Sequence, residues 1–177
     1  MSHIVFVDLE TTGLDPTKHG IVEIAAIYTI DGEPLGTQGV LVNPGSVEFT
    51  EEAEAINGFD AYKAANGLPL AEAIRTFDEP VKSHSIMAGW NVGFDYGFLR
   101  AAYELCNRKW PFSYHMLDIQ SVFRFMNLCG RYKGPVSLER AAGQCGVIRT
   151  YEKAHKATSD VIWTHRLFQW AQERMRL

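Results

Sequence analysis

Cysteine is scarce in this chain, and the cysteines that are present show no pattern. The three of them, Cys106, Cys129 and Cys145, are odd in number and lack CxxC spacing. The sequence therefore predicts neither a disulfide framework nor a zinc knuckle. Such cysteine usage is typical of a reducing compartment, and we expect a cytoplasmic protein.

Long apolar runs are missing as well. No stretch of about eighteen consecutive apolar residues occurs, and the first residues, MSHIVFVDLETTG, lack a basic segment followed by a long apolar one. We expect neither secretion nor a membrane-spanning segment. Internal repeats and low-complexity tracts are also absent, and 177 residues suit a single core. We expect residues 1–177 to form one domain.

Positive charge is rare in the first half of the chain. Residues 1–99 contain 4 Lys and Arg against 15 Asp and Glu, whereas residues 100–156 contain 10 against 4. The net charge of −4 argues against a protein that coats nucleic acid without sequence preference. Two interpretations of the uneven charge distribution stay open. In the first, the basic segment attracts a polyanion and the acidic half carries metal ligands. In the second, both segments are ordinary solvated surface.

Three Val- and Ile-rich segments near the amino terminus have the composition of strands. Farther along, helical spacing of apolar residues alternates with short strand-like segments. A meander followed by alternating strands and helices indicates an α/β fold, with a mixed central sheet of antiparallel and parallel strands flanked by helices. The predicted strands are 3–8, 21–30, 37–44, 86–90 and 114–119, with DGEPLG at 31–36 as a hairpin connection, and the predicted helices are 50–57, 70–82, 91–106, 120–130, 137–146 and 159–177.

Two acidic residues, Asp8 and Glu10, follow the apolar part of the first strand. Because strand residues alternate between faces, their side chains project to the same side. Two like charges at this distance repel and raise each other's proton affinity unless a cation lies between them. A divalent cation is the usual partner, although a solvated strand face shows the same pattern.

Three further polar residues stand out. Asp95 lies in an apolar-rich helix four residues after Asn91, a candidate N-cap, so we expect these two side chains to share a face. Asp160 lies near the start of the last helix, and His155 precedes it by five residues, which places His155 on the loop before that helix. Each has an ordinary alternative, a cap or dipole partner for the acids and a surface position for the histidine.

In combination, DLETTG at 8–13, NVGFD at 91–95 and HKATSD at 155–160 resemble the three motifs of the DEDD exonuclease superfamily. The pattern is similar to the histidine subgroup, DEDDh, whose best-known members are the DnaQ-like 3′–5′ exonucleases. INGF at 56–59 resembles the segment that flanks the terminal nucleotide in that family. Lys156 stands where the tyrosine subgroup has its tyrosine, which excludes that subgroup.

The resemblance implies an RNase H-like fold and stepwise hydrolysis of single-stranded nucleic acid from its 3′ end, releasing nucleoside 5′-monophosphates. It also implies that two Mg²⁺ or Mn²⁺ ions are present and that His155 takes the proton of the attacking water. This chemistry agrees with the residues, because hard cations prefer oxygen ligands and an imidazole exchanges protons near neutral pH. The implied metal ligands are Asp8, Glu10, Asp95 and Asp160.

Substrate contacts are implied by the same resemblance. Phe59 and Phe94 could stack on bases, as aromatic side chains do in single-strand binders, or pack in the core. The chain departs from many relatives at Asn57 and Trp90, where those have histidine, and Trp90 could add a stacking surface. These departures leave substrate preference open. The implied substrate contacts are Thr11, Thr12, Leu14, Phe59, Trp90, Asn91 and Phe94.

Two rival functions remain at this point. One is a non-catalytic nucleic-acid-binding module of the same fold, and the other is a phosphodiesterase restricted to short oligonucleotides. Single residues do not distinguish DNA from RNA, and DNA is favoured only slightly. The chain ends soon after the third motif, so we expect a freestanding exonuclease without a polymerase tether. The aromatic content would permit a homodimer.

Overall fold

A six-stranded mixed sheet organises the computed structural model, which describes residues 2–148 and 155–175. The strands are β1 (His3–Thr11), β2 (Ile21–Ile30), β3 (Glu33–Asn43), β4 (Leu68–Pro69), β5 (Ser85–Gly89) and β6 (Phe112–Asp118). The helices are α1 (Glu51–Asn57), α2 (Ala61–Ala64), α3 (Leu70–Asp78), α4 (Gly93–Leu105), α5 (Ile119–Leu128), α6 (Leu138–Gln144) and α7 (Ala157–Met175).

The strand order is β4-β3-β2-β1-β5-β6. Strands β1, β2 and β3 pair antiparallel, whereas β5 and β6 are added in parallel beside β1. The predicted α/β class with a mixed sheet is thereby confirmed. Among the described residues, no helix combines the length and the apolar character needed to cross a membrane.

The connection between β2 and β3 is shorter than predicted. Asp31 and Gly32 both have positive φ, 51° and 90°, and form the turn alone. A two-residue turn of this conformation matches the twist of the paired strands. The third strand therefore begins at Glu33, within the segment 31–36 that was predicted to be the connection.

Alternation along β1 divides the core into two layers. Val5 and Val7 face the layer that contains α3 and α4, whereas Ile4 and Phe6 face the layer that contains α5, α6 and α7. The apolar residues bury both faces of the strand, as expected for a central strand. The same alternation directs the even-numbered side chains that follow, beginning with Asp8, toward the α7 layer.

The predicted helix cap at Asn91 is wrong. Asn91 has a φ of 60° and lies in the turn after β5, while α4 begins at Gly93 with Val92 in the cap position. Asn tolerates the left-handed conformation better than most residues, which suits it to this turn. Its side chain is therefore not one helical turn from Asp95 on a shared face.

Other differences concern element ends and short elements. The last helix begins at Ala157, two residues before the predicted start at 159, and the predicted end at 176–177 lies outside the described residues. The sequence analysis missed α2 and β4, which have four and two residues. Elements this short contain too little of either hydrophobic period to be recognised.

Removal of a core ring should destabilise the fold strongly. Phe77 is fully buried and stacks on Phe112 with ring centroids 6.2 Å apart. We expect Phe77→Ala to lower the free energy of unfolding by about 3–5 kcal/mol in urea titrations. Leu128→Ala, at a side chain that is 86% exposed, is the matched control and should stay within about 0.5 kcal/mol. Equal losses in the two variants would contradict the assigned core.

Candidate metal and nucleic-acid site

Three carboxylates meet at the end of β1. Asp8, Glu10 and Asp160 each offer an oxygen within 4.8 Å of the others. The first two project from β1 and the third from the first turn of α7, which packs on the same face of the sheet. The Asp160 carboxylate is oriented by the backbone N–H of His155, which donates to Oδ2 at 3.1 Å.

Asp95 reaches the same strand end by a different route. Parallel pairing joins β5 to β1 at Ile4, Val5 and Phe6. Farther along β1, beyond the part paired with β5, the backbone N–H of Leu9 donates to Asp95 Oδ1 at 3.0 Å. Asp95 is buried, and after burial its charge is the largest cause that raises the pKa of Asp8. The fourth predicted ligand therefore lies beside the group of three, with one oxygen already accepting a hydrogen bond.

Burial and mutual repulsion raise the pKa values of all four carboxyls. Burial is the largest cause in each case, and it holds the pKa values of Asp8 and Asp95 well above their ordinary range. For Glu10, burial together with the charges of Asp160 and Glu23 raises the pKa to about 7. Burial likewise raises the pKa of Asp160 to about 7. Without a cation, these carboxyls bind protons more tightly than exposed carboxyls do.

Glu23 is a fifth carboxylate at this site, and the sequence analysis missed it. It lies on β2 directly opposite Glu10 in the antiparallel register. Its charge is among the causes that raise the pKa values of Asp8, Glu10 and Asp160. The available signal was a glutamate inside the apolar segment IVEIAAI. Only the register between β1 and β2 shows that it faces the predicted ligands.

The donor set fits a hard divalent cation. Asp160 Oδ1 and Glu23 Oε2 are buried, and neither has a hydrogen-bond partner among residues 2–148 and 155–175. A buried carboxylate oxygen without a partner is energetically costly. A cation, or water bound to one, would satisfy both oxygens. Ligands of this kind suit Mg²⁺ and Mn²⁺.

His155 lies on the loop before α7, as the spacing predicted. It is exposed and has a φ of 56°. A non-glycine residue in this left-handed conformation is uncommon and often marks a functional position. The hydrogen bond from its backbone N–H to Asp160 holds the loop next to the carboxylates.

A cleft of about 600 Å³ adjoins the carboxylates. Glu10 and Thr11 belong to its wall, so the cleft and the group of three share a residue. Much of the remaining wall is apolar and includes Phe94 together with Leu14 and Ile56, which are 83% and 58% exposed. The volume lies in the range of small-ligand sites in proteins. Of the predicted substrate contacts, Thr11, Leu14 and Phe94 line this cleft.

Thr12 and Trp90 do not line the cleft. Thr12 is fully buried, and its hydroxyl accepts the backbone N–H of Gly20 at 3.0 Å, which closes the loop that carries Leu14. Trp90 is buried and packs against Phe123, with ring centroids 5.4 Å apart. Both side chains have packing roles in this structure, because nearness to a motif in sequence does not decide which face a side chain takes.

Phe59 is linked to the site through Asn57 and Lys156. The Lys156 ammonium lies 4.6 Å from the Phe59 ring centroid and donates to the Asn57 carbonyl at 3.2 Å. The Asn57 side chain donates to the Thr11 carbonyl at 3.0 Å and accepts the Phe59 N–H at 2.9 Å. Asn57, one of the departures from the family pattern, thus ties α1 to the strand of the predicted metal ligands.

Asn91, the remaining predicted substrate contact, is exposed, and its backbone N–H donates to Asp118 Oδ1 at 2.9 Å.

The basic segment 100–156 is partly neutralised by local ion pairs. Arg108 pairs with Asp78, and Arg100 pairs with Glu104. Arg149 and Lys153 of the same segment lie outside the described residues. Lys156 is a basic side chain of the segment that the structure places at the site.

The mixed sheet carries carboxylates at the end of its first strand and has a cleft beside them. Comparisons with known proteins identify the family to which this arrangement belongs. The chain belongs to the RNase_T exonuclease family, whose sequence profile matches residues 5–168. The predicted exonuclease family is thereby confirmed, and the assignment to its histidine subgroup stays a prediction.

Individual relatives share parts of the chain. Exonuclease DPD1 of Arabidopsis thaliana is 30% identical over 177 residues, covering 94% of this chain and 55% of that protein. PolC-type DNA polymerase III of Latilactobacillus sakei is 34% identical over 104 residues, covering 58% of this chain and 7% of the polymerase. E. coli Exonuclease I in complex with a dT13 oligonucleotide has a TM-score of 0.88 at 20% identity, covering 98% of this chain and 42% of that one. The chain therefore spans about half or less of these relatives.

Neutralising one buried carboxylate should stabilise the metal-free protein. The folded-state pKa of Asp160, about 7, lies above its ordinary value of 3.8. The folded state therefore binds more protons than the unfolded state between these values, and stability falls as the pH rises through them. In EDTA, wild-type Tm should fall between about pH 5 and about pH 8, and Asp160→Asn should fall less and exceed wild type at the upper pH.

Glu54→Gln, on the exposed face of α1, is the charge-matched control and should follow the wild-type curve. A lower Tm for Asp160→Asn than for wild type at about pH 8 would instead give Asp160 a structural role.

Proposed function

We propose that this chain is a 3′–5′ exonuclease that releases nucleoside 5′-monophosphates from the 3′ ends of single-stranded nucleic acid, with DNA favoured over RNA. The observation that carries the proposal is the group of Asp8, Glu10 and Asp160 directly beside an apolar cleft of nucleotide size. Membership of an exonuclease family supports the reaction class. The dT13 oligonucleotide in the complex of the structural neighbour supports a single-stranded DNA substrate.

Four carboxylates, Asp8, Glu10, Asp95 and Asp160, would hold two Mg²⁺ or Mn²⁺ ions. Two such ions supply stabilisation of the attacking and the leaving oxygen of a phosphodiester. Strand β1 and helix α7 bring three of these side chains together, and Asp95 from α4 lies beside them. Their raised pKa values indicate that a positive charge at the site, a proton or a cation, is favourable.

The cleft would receive the terminal nucleotide. Leu14 and Ile56 expose apolar surface that a base would cover, and the Phe94 ring contributes to the same wall. The phosphate would lie at the end of the cleft next to Glu10. This residue belongs both to the cleft wall and to the group of three carboxylates. Lys156 adds positive charge next to that end, where it lowers the pKa of Glu10.

His155 would accept the proton of the attacking water on an imidazole nitrogen. Its loop position next to Asp160 and its exposure leave the ring free to approach water at the scissile phosphate. An imidazole suits this task because it can gain and release a proton near neutral pH. The backbone hydrogen bond keeps this base beside the carboxylates.

A non-catalytic binding module has less support. Four carboxyls that repel one another in a buried position weaken a fold unless a cation uses them. A phosphodiesterase for short oligonucleotides would be distinguished by comparing a dinucleotide with a strand of about 20 nucleotides. We further propose a single exonuclease domain over residues 1–177 and a cytoplasmic location, and the aromatic content would permit a homodimer.

A direct assay tests polarity and metal dependence. A 5′-labelled single strand should shorten as a ladder in Mg²⁺ or Mn²⁺ and stay intact in EDTA, because the carboxylates alone repel the phosphate. A strand with a 3′-phosphate should resist digestion, since the extra charge would meet the carboxylate end of the cleft. Asp8→Ala is the inactive control. Undiminished digestion of the 3′-phosphorylated strand would refute the polarity.

Substitution of His155 tests the general base separately. His155→Ala should lower kcat by about 10² to 10⁴, the usual contribution of a positioned base. Metal affinity, measured by calorimetry, should be retained, because hard Mg²⁺ has little use for imidazole. The acidic limb of the kcat profile against pH should also flatten. An unchanged kcat, or a metal affinity lost together with the ring, would contradict this role.

A further inference from the structure

At the position of Glu23, a negative charge does not stabilise the metal-free protein. Glu23 faces Glu10 across the antiparallel pair β1–β2, a geometry in which like charges destabilise a sheet. It also raises the pKa values of Asp8 and Asp160, so its charge is unfavourable to three neighbours. A glutamate at this point therefore calls for a positive partner.

The two oxygens of Glu23 have different surroundings. Oε1 accepts the hydroxyl of Thr158, from the first turn of α7, at 3.2 Å. Oε2 is buried and has no hydrogen-bond partner within the described ranges 2–148 and 155–175. Asp160 Oδ1, two residues from Thr158, is in the same condition. The cluster thus contains two buried acceptors that lack donors.

Thr158 holds Glu23 in this orientation. The Thr158 hydroxyl packs against β3, where a Cβ added at Gly39 would come within 2.9 Å of Oγ1. Close packing on one side and the hydrogen bond on the other fix Oε1. The remaining oxygen, Oε2, then keeps one position relative to the β1 carboxylates.

A hydrogen bond to Thr158 alone would not need a charge. A glutamine amide oxygen would accept the same hydroxyl without repelling Glu10. The carboxylate is explained if its second oxygen serves a cation. Mg²⁺ binds proteins through few carboxylates and keeps several waters, which need acceptors, and such outer acceptors orient metal sites.

We propose that Glu23 is a positioning residue of the metal site, with Oε2 accepting hydrogen bonds from water bound to a divalent cation that Asp8, Glu10 and Asp160 hold. This inference rests on the proposed function, because it requires that cation. It adds to the candidate metal site a residue that lies outside the three sequence motifs. Strand β2 would then supply a hydrogen-bond acceptor to the site in addition to pairing with β1.

Calorimetric titration of the metal-free full chain with Mn²⁺ tests the inference. Glu23→Gln keeps the shape and the acceptor for Thr158 but removes the charge. We expect its Mn²⁺ dissociation constant to rise about 10- to 100-fold, while its Tm in EDTA equals or exceeds that of wild type. Glu54→Gln is the matched control on an exposed helix face and should bind Mn²⁺ as wild type does.

Thr158→Val separates the charge from the hydrogen bond, because it removes the hydroxyl and keeps the carboxylate. Its Mn²⁺ dissociation constant should rise clearly less than that of Glu23→Gln, because the charge remains and only its orientation is loosened. An equal loss in both variants, an unchanged affinity in Glu23→Gln, or a lowered Tm of Glu23→Gln in EDTA would each overturn the inference. Failure of wild type to bind Mn²⁺ would instead overturn the proposed function itself.

Discussion

Repulsion among buried carboxylates at the end of β1 is the constraint on which the rest of this structure depends. Five acidic side chains from four elements converge there, and burial raises the pKa values of those that form the candidate ligand set. The elements that carry them must be held in place by contacts elsewhere, since the site itself pushes them apart. The two apolar layers on either side of the sheet supply that stabilisation. The fold thus maintains a concentration of acidic groups whose repulsion is relieved by a bound cation or, without one, by proton uptake.

Strand alternation and sheet order explain how the charges converge. Apolar residues occupy both faces of β1 until Asp8, where the central strand passes from core to site. Parallel pairing with β5 joins Ile4, Val5 and Phe6 of the strand, and the Leu9 N–H beyond it bonds to Asp95 from α4. Packing of α7 on the opposite face brings Asp160. Each predicted ligand is therefore placed by a regular element, which fixes its position more precisely than a loop would.

The sequence predicted the parts of the site that local pattern determines. Asp8 and Glu10 could be paired from strand alternation alone, and the motif resemblance supplied Asp95, His155 and Asp160. Glu23 could not be found in this way, because its partner across the sheet depends on the register between two strands. The burial of Trp90 against α5 and of Thr12 inside the loop closed by Gly20 was not visible for a related reason, because both depend on contacts outside the motifs. The Asp31–Gly32 turn lies within the predicted connection 31–36, and an Asp-Gly pair is itself the sequence signal for a two-residue turn.

The division between strand-borne and loop-borne residues bears on substrate choice. The carboxylates project from β1, β2, α4 and α7, so moving one of them disturbs the core. By contrast, Leu14 stands on a loop closed by the Thr12 and Gly20 hydrogen bonds, and Ile56 stands on the short helix α1 that the Asn57 side chain ties to Thr11. A few hydrogen bonds hold these two parts of the cleft wall, whereas Glu10, Thr11 and Phe94 belong to regular elements. Substitutions at the exposed Leu14 and Ile56 would therefore change the shape of the cleft at little cost in stability. Asn57 connects the same part of the wall to β1, and we propose that its departure from the family pattern affects substrate preference while the carboxylates stay in place.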